Sequence, residues 1–150
     1  MKSRVLIINA YGAFLRRPVT ACLEHAGYEA CPTSTVMEAA AELRQGGVAG
    51  LVVALNLGLD GAGAVTKSGL GIFAEVRQTV ADPDLFRCPI VVTATFKTAA
   101  GVVQEEALRH RIDNPILLAV KQDVLDPAFG ATMRRHFESG QSEPDRPAAR

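Results

Sequence analysis

Four apolar runs of strand length recur along this chain, each followed by a segment of helical spacing, and that alternation limits the folds open to it. The runs are Val5–Ile8, Leu51–Leu55, Pro89–Thr93 and Ile116–Val120. Each is close to continuous in Val, Ile and Leu, the pattern of a strand covered on both faces. Tyr28–Cys31 is a shorter strand candidate. Between the strands, Leu15, Val19, Leu23 and Ala26 repeat at helical spacing, with Pro18 near the start and Gly27 at the stop. Thr33-Ser34-Thr35 offers caps for a helix over Val36–Gln45, closed by Gly46-Gly47. Ile72, Val76 and Val80 mark a third helix after a Gly-rich loop over 58–71; Val102, Val103, Ala107 and Leu108 mark a fourth; Phe129, Met133 and Phe137 mark the last. Strand and helix thus alternate about five times, which predicts a parallel sheet with helices on both faces. In such sheets functional residues lie at the carboxyl ends of the strands.

The length of 150 residues suits one domain, expected over 1–138. From Ser139 the stretch SGQSEPDRPAAR has no apolar residue larger than Ala, so 139–150 is expected to be a disordered tail. The 16 basic and 16 acidic residues cancel, which gives no electrostatic reason to expect nucleic acid or an acidic membrane as partner. Aromatics at 5%, with no Trp, argue against a base-stacking surface. The opening apolar run stops at Asn9, too short for a secretory signal, and no run approaches a membrane span; a cytoplasmic location is expected. Cys22, Cys31 and Cys88 form no CxxC pair and are read as thiols partly buried in a reducing compartment. His25, His110 and His136 are read as surface residues, not ligands.

The parts RVLIINAY, GYEA, LVVALNLGLDG, PIVVTAT and VKQ, in that order and spacing, resemble the response-regulator receiver (CheY-like) family. The resemblance covers roughly residues 4–138. It implies a flavodoxin-like three-layer (βα)5 sandwich with a central parallel five-stranded sheet of order 2-1-3-4-5. It also implies a site: two acids after the first strand that bind Mg²⁺, a phosphoacceptor Asp ending the third strand, a Thr or Ser ending the fourth and a Lys ending the fifth. Here the acidic pair falls on Asn9 and Ala10. The phosphoacceptor falls on Ala54, or on Leu55 with a one-residue slip, and Asn56 follows. The hydroxyl falls on Thr93 or Ala94. Lys121 matches the Lys, with Gln122 in place of the usual Pro. Mg²⁺ prefers hard oxygen ligands, and charge neutralisation is most of phosphoryl-transfer catalysis. A site of Asn9, Ala10 and Ala54 supplies neither carboxylate nor acceptor. The expectation is a degenerate member, a pseudo-receiver with no metal or other cofactor. By the resemblance it binds a protein partner, or itself, through its fourth helix, fifth strand and fifth helix: residues of Gly101–Arg111, Leu117–Lys121 and Leu125–Ser139. Arg134, Arg135 and His136 make part of that face basic, which a solvated helix C-terminus also explains.

Relative to the family, AGAVTKS is inserted after Asp60-Gly61. Gly61, Gly63, Lys67 and Ser68 lie in a near match to the P-loop pattern GxxxxGK[ST], between a strand and a helix. Thr66 replaces the Gly before the Lys, where backbone N–H groups would wrap a phosphate. The alternative function is therefore a small-ligand or nucleotide-binding domain using Gly61–Ser68. The sequence offers no nucleophile–base pair and no paired carboxylates at strand ends, so no enzyme is expected.

Overall fold

A computed structural model of the chain describes residues 2–8, 16–54, 69–82, 87–94 and 99–142. The elements are β1 (Arg4–Ile8), α1 (Arg16–His25), β2 (Glu29–Thr33), α2 (Val36–Gln45), β3 (Val48–Ala54), α3 (Gly69–Val80), β4 (Ile90–Ala94), α4 (Ala99–Arg109), β5 (Ile116–Val120), α5 (Lys121–Val124) and α6 (Phe129–Ser142). The five strands form one parallel sheet in the order β2-β1-β3-β4-β5. The doubly covered sheet expected from the apolar runs is present. Along β1, Leu6 and Ile8 enter one core and Val5 and Ile7 the other. The first core joins the sheet to α2, α3 and α4 through residues such as Ala40, Leu43, Phe73, Val76 and Val103. The second joins it to α1 and α6 through Val19, Leu23, Phe129, Met133 and Phe137. A strand with no polar alternation has only this way to bury both of its faces.

Helix ends follow local chemistry. Gly27, at φ 97°, closes α1, with the N–H of Tyr28 reaching the Leu23 carbonyl at 3.0 Å and that of Gly27 the Glu24 carbonyl at 3.1 Å. That pair of bonds needs a left-handed residue at Gly27. At the start of α2 the Thr35 hydroxyl accepts the N–H of Glu38 at 3.1 Å, and the Glu38 carboxylate accepts the N–H of Ser34 at 2.7 Å. The helix begins where the Ser-Thr cap residues stand.

Several boundaries differ from the sequence reading, each for a physical reason. β2 runs over 29–33 and includes Pro32, which an edge strand tolerates because one side of its backbone has no ladder to make. β3 begins at Val48, taking in Gly50, where a Cβ would overlap the Phe137 ring. α3 begins at Gly69, inside the segment read as loop. Leu108, read as part of the inward face of α4, is 80% exposed, and Val103 and Ala107 take the inward positions. A short helix, α5, separates β5 from the closing helix, which is therefore the sixth. That closing helix continues to Ser142, past Ser139 where the tail was expected to begin. No described helix is long and apolar enough to cross a membrane.

Candidate functional site

The carboxyl ends of β3, β4 and β5 bring three of the expected site residues to one edge of the sheet. Ala54 is the last residue of β3 and stands opposite Thr93 of β4, which in turn stands opposite Ala119 of β5. Side chains alternate along a strand, so Thr93 shares a face with Val91, and Ala54 with Val52. Val52, Val91 and Ala119 all belong to the core against α1 and α6, so the three positions open toward that layer. Thr93 is 4% exposed and Ala54 is half-buried. Of the two candidates for the hydroxyl position, Thr93 is thus the one in register with Ala54. Ala94 stands opposite Val120 and, one residue on, faces the other layer. Lys121 directly follows β5 as the first residue of α5 and is exposed.

The chemistry of this edge follows from its atoms. A methyl group at Ala54 has no lone pair with which to take a phosphoryl group or a cation. Among the described residues no group of three or more His, Cys, Asp or Glu side chains is placed to hold a metal ion. Asn9, Ala10, Leu55, Asn56, Gly61, Gly63, Lys67 and Ser68 lie outside the described residues.

Gly69 fixes how α3 meets this edge. A Cβ there would overlap the Ala54 carbonyl oxygen and the Val53 side chain. The first residue of α3 therefore packs directly on the last residue of β3. The sequence reading took this glycine as loop material. Its signal, a Gly at the end of a Gly-rich stretch and just before an apolar helical repeat, is shared by ordinary turns.

The second candidate surface is the one formed by α4, β5 and α6. A cleft of about 230 Å³ lies beside β5, lined by Leu117, Leu118, Ala119, Asp123, Phe129 and Thr132 among others. The basic run at 134–136 does not act as one patch. Arg134 pairs with Glu138 on its own helix at 3.1 Å, and Arg135 is exposed. His136 is half-buried, and its Nε2 lies 3.0 Å from the Ile90 carbonyl, which can only accept, so that nitrogen carries the proton. The reading of His136 as a surface residue is corrected by that bond. His110 is also half-buried, beside Glu106 at 3.5 Å, whereas His25 is exposed.

The thiols sit as small half-buried side chains, and none is in a disulfide. Burial pushes Cys88 up from 9.0 to about 11, so it stays protonated at neutral pH. Burial raises Cys22 as well.

No protein-family model matches the sequence, and no curated protein matches it. Solved structures do. The chain is similar to the chemotaxis protein CheY4 of Vibrio cholerae, with a TM-score of 0.62 and 18% identity over 91% of this chain and 99% of that one. It is similar to a CheY-like receiver domain from Methylobacillus flagellatus, with a TM-score of 0.61 and 20% identity, again over 91% and 99%. NtrX from Brucella abortus matches all of this chain with 30% of its own length, at a TM-score of 0.65 and 16% identity. The structural neighbours of this chain are thus CheY-like response-regulator receiver domains. The chain has their fold, with the same flavodoxin-like sheet order.

Proposed function

We propose that this protein is a receiver-like signalling module that works without phosphorylation, by binding a protein partner or a second copy of itself. The observation that carries the reading is Ala54, which closes β3 opposite the buried Thr93; the resemblance to receivers puts the phosphoacceptor at this residue or, with a one-residue slip, at Leu55, and neither side chain can take a phosphoryl group. Asn9 and Ala10 in the sequence add no carboxylate for Mg²⁺. In this reading the phosphoryl-driven rearrangement is absent, and the surface formed by α4, β5 and α6 presents one standing conformation. Signal would then pass through the amount or availability of the protein. The role is that of a binding module in the cytoplasm, not an enzyme.

Beryllofluoride with Mg²⁺ mimics a phosphoryl group bound to an aspartate and stabilises any domain that takes it up. The melting temperature is expected to be the same with beryllofluoride and Mg²⁺ together as with either alone. A rise that requires both would refute the reading.

A further inference from the structure

We draw no further inference here: the strongest candidate, the cleft between β5 and the start of α6 lined by Leu117, Phe129, Asp123 and Asp126, carries nothing, because its two carboxylates already accept the backbone N–H groups of Val120 and Ala128 and nothing in the structure shows what covers it.

Discussion

Gly69 and Gly50 hold their places through what surrounds them. At both positions the space for a methyl group is already filled, by the Ala54 carbonyl oxygen and by the Phe137 ring respectively. Gly69→Ala must push α3 away from the end of β3, where backbone cannot yield as a side chain does. A loss of about 3 kcal/mol is expected by urea unfolding, the upper end for overpacked sites. Gly50→Ala meets only a side chain, but one wedged edge-on against Tyr28 at 5.6 Å, and about 1–3 kcal/mol is expected. Cys88 predicts a pH dependence with a definite sign. The unfolded chain releases this thiol proton near pH 9.0, the folded chain only near 11. Between those values the unfolded state binds fewer protons, so stability is full below pH 9 and falls as pH rises, by about 1.4 kcal/mol at pH 10. Cys88→Ala is expected to remove that part of the alkaline loss, read by chemical denaturation at pH 8 and 10. An identical slope in both proteins would contradict it.

Helices α2, α3 and α4 are tied to one another at their carboxyl ends. Arg44 of α2 donates to the Thr79 carbonyl at 3.0 Å, and Arg77 of α3 donates to the carbonyls of His110 and Arg111 just past α4. Each guanidinium thereby takes up carbonyls that the last turn of its neighbour leaves unpaired. Two of these helices end on non-glycine residues in the left-handed region, Ala81 at φ 60° and Arg111 at φ 54°. Ala81→Gly is expected to raise stability by about 1 kcal/mol, since it relieves the left-handed penalty and keeps the bond from the residue 81 N–H to Arg77. A melting temperature that falls would show that Ala81 is unstrained. At this scale the sequence was largely legible. Continuous runs such as ILLAV and the Ser-Thr cap before Val36 carry their own structural reason, and β5 and α2 fall where the pattern placed them. What stayed hidden depends on tertiary contact. The start of α3 at Gly69 is set by the Ala54 carbonyl, the outward turn of Leu108 by the packing of Val103 and Ala107 on the core, and the inward turn of His136 by a carbonyl of β4. Of the candidate site, the pairing of Ala54 with Thr93 over Ala94 needed the ladder register, which residue order alone does not supply.

For the whole molecule, the fold of receiver domains surrounds a strand-end edge where Ala54 closes β3 opposite Thr93, and in the proposed reading the acceptor position there carries no carboxylate. The competing use of that edge, nucleotide binding through Gly61–Ser68, predicts stabilisation by ATP of about 2.7 kcal/mol at a hundred times its dissociation constant. No ATP-dependent shift in melting temperature is expected here, and a shift abolished by Lys67→Ala would favour the nucleotide reading instead. The neutral overall charge hides a particular placement in the proposed reading: 16 acidic residues are present, yet the resemblance to receivers puts Asn9, Ala10 and Ala54, or Leu55 with a one-residue slip, where a working receiver carries carboxylates. Restoring Ala54→Asp alone is expected to leave the domain unphosphorylated, because charge neutralisation by Mg²⁺ still lacks its ligands. The most direct measurement is intact-mass spectrometry of the native chain after incubation with acetyl phosphate and Mg²⁺. An unchanged mass is the predicted result. A phosphoryl adduct localised to an acidic side chain would contradict the account.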